Sequence, residues 1–277
     1  MIHFKRTIDK VDILIGIDTE LHSTNRHIFD CILTTFNRTN GDSNDSFVIS
    51  LHNSTDEDTF FCDTNSNNWV FKLLDALENY FARKLNCTVV HGSCIRIFNK
   101  NILVVGSRMS GKTTLTQFFS SVSSADYMTD DCIYIVENKY YGFALPIPMR
   151  SKQYSNENIV CISNDFEDEE RVLYFADKRL GTVNNVDIVL FPKYREDMHE
   201  LAFVNLQNSK LYNMITQNVR HIKNIKNMFY DVNQLVKNSI AYYIEYSSCE
   251  DVLLWLEKQV YALKGEAVDE DDKKHIT

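Results

Sequence analysis

The chain has little glycine and less proline: 8 and 3 of its 277 residues, where average usage gives about 19 and about 14. That excludes collagen-like, Gly/Ser-linker and Pro-rich disordered classes. It also means that each of these residues sits where the backbone demands it. Five of the glycines (Gly92, Gly106, Gly111, Gly142 and Gly181) and all three prolines (Pro146, Pro148 and Pro192) fall between residues 92 and 192. Other absences narrow the class further. No apolar run approaches the roughly 18 residues of a membrane span, and Met1 to Lys10 carries no signal-peptide core, so no membrane association is expected. None of the seven cysteines forms a C-x-x-C pair and their number is odd, the pattern of reduced thiols in a cytoplasmic protein. A net charge of −9 leaves no global basic field to attract nucleic acid. Arg220, His221, Lys223 and Lys226 form a local basic cluster that reads as a solvated helix face.

What is present is an ordinary globular composition, 44% apolar and 24% charged. Residues 11–17, 28–36 and 47–51 read as strands separated by polar loops, so residues 1–66 form a small β-rich unit. Residues 69–85 change to a helical period, with Trp69, Leu73, Leu77, Tyr80, Phe81 and Leu85 near one face and Asn67 or Asn68 to cap them. Apolar runs at 88–98 and 102–105 flank a turn at Asn99-Lys100-Asn101, and 132–136 and 140–145 flank another at residues 137–139. Residues 112–121 fit a helix. Strands follow at 171–175, 186–191 and 241–246, with helices near 209–217, 224–238 and 249–263, the last opened by a capping-box pattern at Ser248. Residues 67–263 then make the main domain, and 264–277 an acidic disordered tail.

One motif carries chemistry. Gly106-Ser107-Arg108-Met109-Ser110-Gly111-Lys112-Thr113 fits G-x-x-x-x-G-K-[ST], between an apolar strand and a helix. Backbone N–H groups of such a loop, with Thr114 following it into the helix, can wrap a phosphate. Gly106 and Gly111 permit close approach, Lys112 reaches the β- and γ-phosphates of ATP, and the Thr113 hydroxyl is placed for Mg²⁺. Asp130-Asp131 stand at the mouth of a later strand, where one carboxylate can order Mg²⁺ and the other can take a proton from an attacking hydroxyl. No guanine-reading N/T-K-x-D motif is visible.

The order His91-Gly92, then Gly106 to Thr113, then Asp130-Asp131 resembles the HPr kinase/phosphorylase-like kinase family, over about residues 88–192. The resemblance implies an α/β fold: a P-loop core with a mixed β-sheet of the kind shared with phosphoenolpyruvate carboxykinase, beside the β-rich N-terminal unit and a helical C-terminal region. It assigns Asp131 as base, with Asp130 the close alternative and His91 assisting. It adds Asp177 as a second Mg²⁺ ligand and Arg179 as a phosphate contact, ahead of Gly181. Arg150 or Lys152, after the proline-punctuated segment 141–150, can face nucleotide or substrate. Family loops usually carry a further glycine where this chain has Met109, and the long glycine-rich signature of true HPr kinases is absent.

These readings predict an ATP- and Mg²⁺-dependent kinase that phosphorylates a Ser or Thr hydroxyl of a peptide or protein. The alternatives are a nucleotide-binding regulatory or adaptor protein without transfer, and a small-molecule kinase of the free-serine type. Family members often form oligomers, so a homo-oligomer is compatible with the resemblance.

Overall fold

The structure is a computed structural model that describes residues 1–39, 46–52, 58–64, 66, 68–150, 159–161 and 171–264. The expected acidic tail lies outside the described residues from 265 onward, as does Lys152. The described residues form a mixed α/β fold of four sheets and seven helices.

The chain opens on a hairpin of β1 (Ile2–Ile8) and β2 (Val11–Ile17). Helix α1 (Thr19–Thr24) follows, and the Asp18 carboxylate caps it by accepting from the Glu20 and Leu21 N–H groups. Helix α2 (Arg26–Ile32) corrects the expectation of a strand over 28–36. The residues are β-favouring by type, but Ile28, Phe29 and Ile32 recur at helical spacing and all three are buried. Strands β3 (Asn37–Thr39), β4 (Phe47–Ser50) and β5 (Thr59–Phe61) complete a sheet ordered β3-β1-β2-β4-β5.

Helix α3 (Trp69–Leu85) begins and ends as its period dictates. Asn68 stands at its N-cap but gives it no side-chain bond, because its Oδ1 accepts from the Ser66 hydroxyl instead. The buried face of α3 joins Ile13, Ile15 and Phe29 in a core that also takes Phe143, Leu173 and Phe175 from much later in the chain. Phe81 and Phe143 stack with ring centroids 3.7 Å apart. Arg6 on β1 reinforces this junction, donating to the carbonyls of Gly142 (2.9 Å) and Gly181 (2.7 Å) while lying over the Phe143 ring.

Next come β6 (Thr88–His91), β7 (Ser93–Ile97), β8 (Lys100–Val104), α4 (Lys112–Ser120), β9 (Asp126–Thr129), β10 (Cys132–Val136) and β11 (Lys139–Tyr141). The β7–β8 turn is the pair Phe98-Asn99, both at positive φ (53° and 58°), and the β10–β11 turn is Glu137-Asn138 (48° and 64°). Two-residue turns of this hand match strand twist, so Lys100 and Asn101 already belong to β8 rather than to the turn. Strands β12 (Ile147–Arg150), β13 (Ile159–Cys161) and β14 (Arg171–Tyr174) form a small sheet ordered β12-β14-β13.

The remaining elements are β15 (Thr182–Val183), β16 (Ile188–Tyr194), β17 (Ala202–Asn205), α5 (Asn208–Thr216), β18 (Val219–His221), α6 (Ile225–Asn238), β19 (Ile240–Tyr246) and α7 (Cys249–Lys264). The Ser248 hydroxyl accepts from the Asp251 N–H, capping α7 as its sequence suggests. The largest sheet runs β17-β19-β16-β8-β7-β9, with β8, β16 and β19 parallel and the others antiparallel. Its side chains alternate faces. Ile102, Val104, Ile188 and Leu190 pack with Leu115 of α4 and Leu256 of α7. Leu103, Val105, Val189 and Phe191 pack with Leu211 of α5, Leu235 of α6 and the second five-stranded sheet, β15-β11-β10-β6-β18. Pro192, expected to end its strand, lies inside β16 but past its last pairing with β8 (Leu190 opposite Val104), where a missing N–H costs least. No described helix is long and apolar enough to cross a membrane.

Candidate active site

Strand β8 is held on both sides, and the Val105 N–H extends its tie to β16 through the Leu190 carbonyl at 2.8 Å. The chain leaves the sheet there as a tight loop, Gly106 to Gly111, that runs into α4. Ser107, Arg108 and Met109 are exposed and Ser110 is buried. A Cβ on Gly106 would stand 2.6 Å from Ser110 Oγ. Gly111 takes φ +88°, and its carbonyl accepts from the Leu115 N–H (3.0 Å) and the Tyr246 hydroxyl (2.9 Å). As N-cap of α4 it supplies no side chain to the first N–H groups, so that end of the helix keeps its positive potential for a ligand. Thr114 is exposed on the first turn.

Lys112 is buried to 7% exposure, yet its ammonium meets the His91 ring, Nζ to Nε2 at 3.1 Å, and lies 3.8 Å from Asp131 Oδ1. Strand β6 brings His91 there and the β9–β10 connection brings Asp131. His91 Nδ1 is 2.8 Å from Asp131 Oδ1. An ammonium can only donate, so Nε2 accepts from Lys112 and Nδ1 carries the proton toward Asp131. The chain Lys112–His91–Asp131 is therefore continuous.

Asp131 is closed from its other side by Arg220 of β18, whose NH1 donates to Oδ2 at 2.9 Å. Burial opposes ionisation of Asp131, but its hydrogen bond to His91 and its electrostatic interactions with Arg220, His91 and Lys112 outweigh it and hold the carboxyl well below the usual carboxylate range. Asp130 behaves oppositely. It is 6% exposed, and burial pushes its carboxyl up, with Lys112 pulling the other way. Its Oδ2 accepts from the Thr113 hydroxyl at 3.1 Å, while Oδ1 is buried without a partner. An orphaned carboxylate oxygen beside a threonine hydroxyl is a hard-oxygen donor pair that fits Mg²⁺.

The structure thus brings together His91, Lys112, Thr113, Asp130 and Asp131. It does not bring Arg179 to them. That guanidinium donates to the Ala176 carbonyl (2.9 Å), the Cys31 carbonyl (2.7 Å) and the Thr34 hydroxyl, tying its turn to the N-terminal region rather than to the 106–113 loop. Asp177 is exposed on the same turn. The turn is bound to β9 through the Tyr127 N–H to the Lys178 carbonyl and the Leu180 N–H to the Tyr127 carbonyl. Among the described residues, the acid-and-thiol group whose ligand atoms lie within 4.8 Å of one another is Glu78, Asp131 and Cys132, without Asp177. This group already contains a cation: Arg220 NH1 lies 3.9 Å from Glu78 Oε2 and 3.7 Å from Cys132 Sγ. Burial raises both Glu78 and Cys132, and the thiol donates to Glu78 Oε2 at 3.4 Å.

Sequence reasoning missed Glu78 and misplaced Arg220. Glu78 carries a visible signal, since it interrupts the apolar stripe Leu74, Phe81, Leu85 of α3. Arg220 carries none. It belongs to a strand paired with β6, not to a solvated helix face, and Asp131 is 89 residues away in sequence. The side chain of Arg150 lies outside the described residues.

No family model and no curated protein matches the chain. Among solved structures, the chain is similar to the HPr(Ser) kinase/phosphatase from Coxiella burnetii at 11% identity and a TM-score of 0.34, over 64% of this chain and 93% of that one. A likeness at that level identifies neither fold nor activity, and the functional reading rests on the site.

Proposed function

We propose that the chain is an ATP-dependent kinase of the HPr kinase/phosphorylase-like kind, passing the γ-phosphoryl group to a Ser or Thr hydroxyl of a peptide or protein. The observation that carries the proposal is the Lys112–His91–Asp131 chain at the mouth of a strand–loop–helix whose sequence fits a phosphate loop. On this reading, residues 106–114 wrap the phosphates and Lys112 neutralises the β- and γ-oxygens. Thr113 and Asp130 would hold Mg²⁺, which would supply further charge neutralisation.

Asp131 receives the acceptor's proton as the new P–O bond forms and the bond to the β-phosphate oxygen breaks, leaving ADP and the phosphorylated hydroxyl. His91 orients Asp131 from one side and Arg220 from the other. The same double restraint supports a second reading, a nucleotide-binding regulator in which Asp131 is structural and no transfer occurs.

Incubation with γ-labelled ATP, Mg²⁺ and a panel of Ser/Thr peptides and free serine separates the two. Transfer is expected, and Asp131→Asn is expected to lower its rate by about 100-fold or more with ATP affinity kept. Tight ATP binding with no transfer to any acceptor would leave only the regulatory reading.

A further inference from the structure

We propose that Tyr194 is the platform on which the nucleobase stacks, so that the 106–111 loop takes the phosphates and the Tyr194 ring takes an aromatic base, adenine if the nucleotide is ATP. This rests on the nucleotide reading above.

The sheet makes the placement. Strands β8 and β16 are parallel neighbours, so their carboxyl ends open on the same edge, where ligands of such sheets bind. The loop leaves β8 at that edge, and Tyr194 is the last residue of β16. Its N–H donates to the Ser110 carbonyl at 2.9 Å. It also packs directly on the bare backbone of Gly111, where a Cβ would come within 2.9 Å of Tyr194 Cβ. The buried Tyr246 buttresses both parts. Its ring stands edge-on to Tyr194 (5.7 Å, 75°) while its hydroxyl donates to the Gly111 carbonyl. Despite this anchoring, Tyr194 remains 47% exposed. An aromatic side chain fixed in position with an open face is suited to base stacking.

The polarity of the site agrees. His91, Asp131 and Arg220 lie on the side of the loop served by β6, β10 and β18, which is where the reacting phosphate end belongs. A nucleotide with its terminal phosphate there extends across the loop toward β16 and β19. The neighbours of Tyr194 do not compete for that role. Lys193 and Arg195, which flank it, are both engaged elsewhere, pairing with Glu245 (3.5 and 3.2 Å).

The test is calorimetric titration of the full chain with Mg·ATP and with Mg·tripolyphosphate, which has the phosphates and no base. Tyr194→Ala is expected to weaken ATP binding about tenfold and to leave tripolyphosphate unchanged, while Tyr194→Phe keeps both affinities. Equal weakening of both ligands by Tyr194→Ala would make the ring a prop for the loop and overturn the proposal, as would no effect on either. Wild-type protein that binds ATP no better than tripolyphosphate would overturn the base platform while sparing the phosphate loop. Failure to bind either ligand would sink the nucleotide reading as well.

Discussion

Met109→Gly is expected to stabilise the protein, although it removes a side chain from the most distinctive loop of the chain. Met109 has φ +65° and is 78% exposed. Holding an L-residue in the left-handed region costs roughly 1–2 kcal/mol, which glycine avoids. Glycine in turn loses roughly 0.5–1 kcal/mol more conformational entropy on folding. The exposed Met side chain forfeits little burial, so the balance favours glycine by about 0.5–1 kcal/mol. For a chain of this size that corresponds to a melting temperature higher by about 1–4 °C. Urea denaturation of wild type, Met109→Gly and Met109→Ala decides it. Alanine keeps the Cβ and the strain, so it is expected to fall within about 0.5 kcal/mol of wild type. A glycine variant no more stable than the alanine variant would refute the reasoning.

Two further predictions test the surroundings of the site. Arg220→Gln removes the cation that Asp131 and Glu78 share, leaving Asp131 with Lys112 alone, and is expected to cost about 1–2 kcal/mol, discounted because both Arg220 and Asp131 are more than a third exposed. The folded-state pKa of Asp131 is depressed, so its stabilisation is complete above the unfolded value near 3.9 and is lost as pH falls toward the folded value. The gap to wild type in urea titrations is therefore expected at pH 7 and should narrow below about pH 4; an unchanged gap contradicts the ion-pair account. Gly111→Ala adds a Cβ at φ +88°, 2.4 Å from the Tyr246 hydroxyl oxygen and 2.9 Å from Tyr194 Cβ, and is expected to cost about 2 kcal/mol or more. Gly106→Ala meets Ser110, at 2.6 Å from Oγ and 3.2 Å from Cβ, without a positive φ, and should cost less, so equal shifts in thermal melting would contradict the difference.

What could be read from the sequence follows from range. Helix α3 is set by periodicity and appears where the pattern places it; the β10–β11 hairpin forms at the expected place, but its turn is two residues rather than three and β11 ends at Tyr141 rather than running to 145. The strand, loop and helix around residues 102–120 are local in the same sense. Helix α2 was misread because residue type and spacing disagree there: Ile, Phe, Cys and Thr favour strands, while the buried positions recur as in a helix. Strand β18 is short and lies against β6, more than a hundred residues earlier, so nothing near Arg220 in sequence announces its partner. Arg179 shows the same limit in reverse. The family resemblance implies a phosphate contact for it, whereas its guanidinium binds Cys31 and Thr34.

The contacts of Arg6 bear on how the chain is made. Its two carbonyl acceptors lie 136 and 175 residues downstream, and the core beneath it waits for Phe143, Leu173 and Phe175. At ordinary rates of synthesis, the N-terminal sheet with α2 and α3 would stand on the order of ten seconds or more with this part of its core still open. The last pieces that close it belong to the turn that also lies against β9, the strand leading into Asp130 and Asp131. Completion of the first-made part of the protein thus waits on the turn that backs the strand leading into its candidate site, and Arg220 of that site is made later still.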